Sequence, residues 1–400
     1  MGGATPLRGP SARRFDSFLV AQGLEGRVVE LPDTTRTAAD AAKAVGCEVR
    51  QIVKSLVFRG RSSGTPILIL VSGANRVDET WMAQFTSQPL ERAHPEFARS
   101  ATGFAIGGVP PAGHSSPIPT FIDYDLLELP ELWAAAGSPN AVFRLTSREL
   151  LGLSHGRPVP VTPFVAGSDA SVPWETFDCY GTLVDWRAGF VETVKRIGLA
   201  PTSGAGERLF RRYLSEERSV ESGAFRSYRE VMISTLIRAV QLTDGTELAP
   251  ERARELPESI PEWPIFPDVL PALDALRGRG IRVGILSNID RDLLDATLAR
   301  HGLVADGVVT AEAVRSYKPA PPHWIRFLKE QRLLPSAVTH VSASYEYDHA
   351  TAAALGFRTV YVARDGPLAP GATVSEVVPD LVGLADLRIA PDSNGSSIHR

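Results

Sequence analysis

The sequence predicts an α/β protein of two successive domains, the first a mixed α/β fold and the second a three-layer parallel sheet carrying a helical cap. Three observations carry this. A chain of 400 residues is longer than one hydrophobic core normally supports. From about Trp174 onward, short apolar runs alternate with helical patterns, the arrangement that strand–helix–strand units impose on a parallel sheet. Between the two patterned regions, residues 161–173 are rich in Pro, Gly and Ser and have no period, as a linker does.

In the first domain, taken as 15–160 after a flexible leader at 1–14, Ala38, Ala41, Ala42 and Val45 fall at helical spacing over Thr34 to Val45, and Gly46 stops the helix. Ile52, Val53, Leu56 and Val57 mark a strand. A turn follows at Arg59 to Gly64, and then a second strand at Pro66 to Ser72. A helix is expected from Asp78 to Phe85. The run Thr102 to His114 holds Gly103, Gly107, Gly108, Pro110, Pro111 and Gly113, so it reads as a shaped loop. Thr120 to Ile122 gives a short strand ending at Asp123. Val142 to Leu145 gives another, followed by a helix opened by Thr146 with Glu149 as its capping-box partner.

The second domain, 174–389, starts with the strand Trp174 to Phe177 and the loop Asp178 to Asp185. Residues 190–262 are mainly helical, an insertion of the size of a cap. Strands then follow at Arg282 to Leu286, Gly307 to Thr310, Val338 to Ser342 and Thr359 to Val362, with helices between them. The element order is that of an open, Rossmann-like sheet. Leu381, Leu384, Leu387 and Ile389 space out a last helix, and 390–400 is a polar tail.

Apolar residues make up 44% and charged residues 22%, with a net charge of -4, so the composition is that of a folded protein with no basic excess to hold a duplex. Cys47 and Cys179 are too few for a disulfide framework or a cysteine zinc cluster. No run approaches the roughly 20 apolar residues that cross a bilayer, so no membrane partner and a cytoplasmic location are expected.

In the second domain, Asp178 (with Thr182), Ser287 with Asn288, Lys318 and Asp348 all fall at or after predicted strand ends, where open parallel sheets hold ligands. A carboxylate there could attack an electrophile, with hydroxyl, amide and lysine groups orienting it and offsetting charge. Taken singly, each residue also has a plain reading: Asp178 as an Asx turn, Ser287 and Asn288 as helix caps, Lys318 as a surface lysine. In the first domain, Lys54 on a strand, the Gly107–Gly108 loop and Asp123 form a second group, for which a surface lysine and an ordinary loop are the plain alternatives.

The stretch FDCYGTLVDW, followed by LSNID, SYKP and VSASYEYDHATAAALG, resembles the four ordered motifs of the haloacid dehalogenase superfamily. The resemblance implies Asp178 as nucleophile, Thr182 and Ser287 as binders of substrate oxygens, Lys318 as the group that steadies the nucleophile, and Asp348 as the acid of the fourth motif. It also has departures. Tyr180 stands where phosphatases of the superfamily carry a second aspartate, and Ala343 and Ser344 stand where they keep a further acid. A Mg²⁺ ion wants several hard oxygen ligands, so no metal and no cofactor are expected. Mg²⁺ belongs only to the alternative of a small-molecule phosphatase. Tyr180 matches the branch acting on 2-haloacids, although Ala343 and Tyr345 replace that branch's water-holding Ser and Asn. A halide-binding arginine from the cap would come from among Arg208, Arg211 and Arg212.

IVKSLVF, LVSGANRVD, TGFAIGGVPPAGH, FIDYDL and SPNAVFRLT resemble YbaK/ProX-type aminoacyl-tRNA deacylases. This implies a mischarged tRNA acceptor end as partner, contacted by Lys54. Backbone N–H groups of Gly107 and Gly108 would surround the ester carbonyl, with Asp123 in the same site. The second domain would take a small-molecule substrate. The alternative for the first domain is a non-catalytic module that binds a tRNA end or a small ligand.

Overall fold

The computed structural model describes residues 9–31, 37–163, 172–221 and 224–388. The chain forms two compact units, Met1–Val165 and Ala166–Arg400. The boundary between them falls in 164–171, outside the described residues, as does most of the expected linker 161–173 and all of the tail 390–400.

The first unit is a mixed eight-stranded sheet: β1 (Val28–Glu30), β2 (Ile52–Gly60), β3 (Pro66–Ser72), β4 (Leu90–Arg92), β5 (Thr120–Asp123), β6 (Leu132–Ala135), β7 (Ala141–Leu145) and β8 (Arg157–Val159), in the order β1-β7-β6-β2-β3-β5-β8, with β4 beside β2. β2 and β3 pair antiparallel with Lys54 opposite Val71. Ile67 to Val71 are all buried, so β3 is covered on both faces and reads as an unbroken apolar run. The expected helices form; the Thr146–Glu149 capping box is the expected one, while the helix expected from Thr34 is described from Ala38, with Thr37 as its cap. Thr37 and Asp40 make a capping box before Ala38–Val45, and Thr146 and Glu149 make another before Ser147–Ser154. The first helix, Pro10–Ala21, starts inside the expected leader, because Pro10 presets its first turn and Ala12, Phe15 and Leu19 bury one face.

The second unit holds six parallel strands: β9 (Trp174–Phe177), β10 (Arg282–Ser287), β11 (Gly307–Thr310), β12 (Val338–Ser342), β13 (Arg358–Val362) and β14 (Glu376–Val378), in the order β11-β10-β9-β12-β13-β14. The first strand in sequence is therefore central, with one neighbour on each side, and the strand order reverses at β9. That reversal opens a crevice above its C-terminal end. The cap begins at Trp186 rather than 190 and consists chiefly of the helices Trp186–Arg196, Ser203–Glu221 and Tyr228–Asp244. The first of these lies close to Trp263: a Cβ on Gly189 would come within 2.2 Å of the indole, so only glycine fits there. Among the described residues no helix is long and apolar enough to cross a membrane.

Candidate active sites

In the second unit the crevice is a cleft of about 460 Å³. Asp178 directly follows β9, and its N–H continues the sheet by donating to Val341 O at 3.1 Å. The chain then turns sharply through Gly181, whose φ of +97° is closed to other residues without strain, and this brings Thr182 back over Asp178. Arg364 donates to the Thr182 carbonyl, pairs with Asp268 at 2.9 Å and lies over the Phe266 ring, fixing the turn from outside.

Lys318 is buried at the centre. Its ammonium donates to Asp178 Oδ1 at 2.7 Å, to Asp348 Oδ1 at 2.7 Å and to the Leu286 carbonyl at 2.9 Å, which occupies all three hydrogens. Burial alone would lower the lysine's pKa, but the two carboxylates outweigh it and raise it. Asp178 is pushed up by burial, against the pull of Lys318 and Thr182. For Asp348, burial is outweighed by Lys318 and His340, which hold it well below the usual carboxylate range. The contrast has a structural cause. Asp348 accepts from Lys318, His340 Nε2 (2.9 Å) and Ser342 Oγ (3.0 Å), whereas Asp178 accepts from Lys318 and Thr182 only. Because an ionised Asp348 can only accept, His340 donates to it through Nε2, and His340 Nδ1 shares a hydrogen bond of 2.9 Å with the Thr176 hydroxyl.

The expected residues Asp178, Thr182, Lys318 and Asp348 thus meet directly. Two of the expected contacts differ. The Thr182 hydroxyl, which the resemblance implied for a substrate oxygen, donates to Asp178 Oδ2 at 3.0 Å and accepts from Ala343 N. Asn288 clasps the main chain of Lys318, accepting from its N–H at 2.7 Å and donating to its carbonyl at 3.2 Å, and so aims the lysine. Ser287 lines the cleft. Tyr180 also lines it, but its hydroxyl is tied to Thr297 at 2.9 Å and burial pushes its pKa well up, so it is a poor proton donor.

Arg208, Arg211 and Arg212 are exposed, because Leu209, Phe210 and Tyr213 take the inward face of the same helix. The arginines that line the cleft are Arg187 and Arg218. Sequence reading passed over His340, Ser342, Arg364 and Glu217. The alternation of β12 carried a signal for two of these, since His340 and Ser342 lie two residues apart on one face. As a Mg²⁺ site the donor set does not fit. Asp178 and Asp348 both converge on the lysine, and among the described residues no group of three or more His, Cys, Asp or Glu side chains is arranged to hold a metal.

In the first unit, Lys54 and Asp123 meet around the turn after β3. Lys54 Nζ donates to the carbonyls of Gly73 (3.1 Å) and Asn75 (2.5 Å). Asp123 accepts from Ser72 N, Asn75 Nδ2 and Asp125 N, and burial, with Asp125 nearby, pushes its pKa up to about 6. Burial also lowers the pKa of Lys54, a shift that Asp123 opposes. Asn75, which bridges Asp123 and Asp125, was not foreseen. Gly107 and Gly108 belong to a separate turn packed on Ser138 and Pro139. The Gly108 N–H donates to Ala105 O at 2.9 Å, which corrects the expectation that both glycine N–H groups face a substrate carbonyl.

A family model described as aminoacyl-tRNA editing domain matches residues 32–153, and one described as haloacid dehalogenase-like hydrolase matches 176–356. The chain is 30% identical over 133 residues to the uncharacterized protein YwhH of Bacillus subtilis, covering 33% of this chain and 84% of that one. It is 27% identical over 200 residues to (S)-2-haloacid dehalogenase 1 of a Pseudomonas species, covering 47% of this chain and 83% of the relative. A solved L-2-haloacid dehalogenase from Xanthobacter autotrophicus is 23% identical, covering 55% of this chain and 99% of its own, at a TM-score of 0.48. Two enzyme families are therefore joined in one polypeptide: the N-terminal unit belongs to the YbaK/ProX-like aminoacyl-tRNA editing domains, and the C-terminal unit to the haloacid dehalogenase-like hydrolases.

Proposed function

We propose that the second unit hydrolyses its substrate through a covalent ester on Asp178, displacing halide from carbon, with short 2-haloacids as the first class to test. One observation carries this reading: Asp178 is held by Lys318 and Thr182 at the floor of the cleft, with no proton donor where a phosphatase would need one. A halide leaves without a proton. An Asp178 oxygen would form a bond to the carbon as the carbon–halogen bond breaks and the halide departs with the electron pair. Water would then hydrolyse the ester, returning the carboxylate and releasing an alcohol and a proton to solvent. The relationship to (S)-2-haloacid dehalogenases supports the choice of class. Wild type and Asp178→Asn should be offered short 2-halocarboxylates and phosphate monoesters, with and without EDTA. Halide release that survives EDTA and disappears in the variant is expected. Phosphate release that requires added Mg²⁺ would overturn the reading.

For the first unit we propose deacylation of mischarged tRNA, with Lys54, Asn75 and Asp123 forming the wall that receives the aminoacyl end. Lys54→Ala should lower turnover of a small mischarged aminoacyl ester by at least about tenfold, since it removes a charged hydrogen-bond donor. Acceptor-stem RNA bound without ester hydrolysis, across a panel of mischarged tRNAs, would make the unit a binding module instead.

A further inference from the structure

Nine charged side chains line the cleft of the second unit, six acidic and three basic. Each base is already matched. Lys318 lies between Asp178 and Asp348, Arg187 pairs with Glu207 at 2.8 Å, and Arg218 pairs with Glu346 while lying 5.3 Å from the centre of the Tyr347 ring. A carboxylate entering this cleft would find acids and no unmatched cation among the described residues that line it.

The opposite charge is provided for. Glu217 lies on the inward face of the cap helix Ser203–Glu221. It is only 3% exposed, yet it forms part of the cleft wall. Tyr228 donates to its Oε1 at 2.8 Å, which fixes the carboxylate's orientation from the neighbouring helix. Trp186, Phe210, Phe266, Tyr345 and Tyr347 supply aromatic surface around the same space. A fixed carboxylate in an aromatic-walled cleft is the chemistry that holds an ammonium group: one ion-paired hydrogen bond, with ring faces attracting the remaining positive surface.

We propose that Glu217 is the specificity residue of this cleft and that it selects a substrate bearing an ammonium-type cation. The proposal rests on reading the cleft as the reaction chamber of Asp178, and it narrows the substrate class: a 2-haloacid taken here would carry an ammonium group beside its carboxylate. It also sets a pH dependence. Burial raises the pKa of Glu217 to about 7, among the facing groups Tyr213, Arg218, Glu221, Tyr228, Tyr317 and Tyr347. An ammonium favours the ionised carboxylate, so its affinity rises as pH rises through that range, whereas a carboxylate ligand would weaken over the same interval.

The test is calorimetric titration of the full chain with propylammonium, propionamide and propionate at several pH values, on wild type and Glu217→Gln. None of these ligands has a leaving group, so the result does not depend on whether Asp178 forms an ester. A separate mass measurement of the Asp178 adduct with a reactive substrate decides that question. Propylammonium should bind at least about tenfold more tightly than propionate, more strongly as pH rises, and Glu217→Gln should abolish the difference. Preference for propionate, equal affinities, no binding of any of the three, or a preference unchanged in the variant would each overturn the proposal. Should the variant fail to fold, the sign of the wild-type pH dependence decides.

Discussion

Lys318 is a buried cation held between two buried anions, and each partner is tolerable in the interior because the others are there. Lys318→Ala would leave Asp178 and Asp348 without the cation they share, at a cost of about 3–5 kcal/mol at neutral pH. Without the lysine Asp178, already pushed up by burial, would sit further above its unfolded pKa, while Asp348 keeps His340 and Ser342. The folded state would then bind more protons than the unfolded one, and stability would fall as pH rises. Urea denaturation should therefore show the variant regaining stability as pH is lowered toward 4, the reverse of ordinary acid denaturation. Asp178, Lys318 and Asp348 were legible in the sequence because each follows a strand at a fixed spacing in the chain. His340 and Glu217 were not. A histidine between Thr339 and Val341 in a strand reads as core, and a glutamate between Glu216 and Arg218 on a charged helix reads as solvated. Only the tertiary register, which sets His340 beside Thr176, and the cap's rotation, which turns Glu217 inward, give them a place in the site. Thr182 was found with a different contact from the expected one, because a hydroxyl's partner depends on the curl of the turn.

Among the elements, the helix Tyr228–Asp244 is tied to the sheet domain at its first turn. Both oxygens of Asp290, just after β10, accept from the N–H groups of Tyr228 (2.8 Å) and Arg229 (2.9 Å), and Arg229 pairs with Asp292. A carboxylate at a helix N-terminus satisfies otherwise orphaned donors and complements the helix dipole. Asp290→Ala should cost about 1–2 kcal/mol and should raise amide hydrogen exchange at residues 228–231 well above exchange in β9. Equal protection in the variant and wild type would contradict this anchoring. The long strands and capped helices were legible, since their periodicities are strong. Among the three- and four-residue strands, β5, β9 and β11 were legible as apolar runs, whereas β1, β4, β6, β8 and β14 were not. Segments this short carry no period, and β8 includes Pro158, which a sheet accepts because β8 pairs only with β5 at the edge.

For the whole molecule, two compact units with separate sheets predict two separable folding events. Residues 1–163 and 172–400, produced separately, should each unfold cooperatively, and their transitions should reproduce those of the intact chain. Loss of cooperativity in either piece would show that the cores depend on one another. The two units differ in how their strands are drawn from the chain. β9, with Asp178 at its end, is the first strand of its sheet to be made, yet it is the central one, and its neighbour β12 arrives late: Thr176 bonds to His340, 164 residues further on. On a ribosome adding about 5–20 residues per second, β9 waits roughly ten to thirty seconds for that partner. The editing unit is by then wholly synthesised and can fold, while the strand that bears Asp178 is still unpaired on one side. Ribosomes stalled near residue 300 should therefore carry a protease-resistant first unit and a protease-sensitive second one, and protection of β9 should appear only after β12 has cleared the exit tunnel.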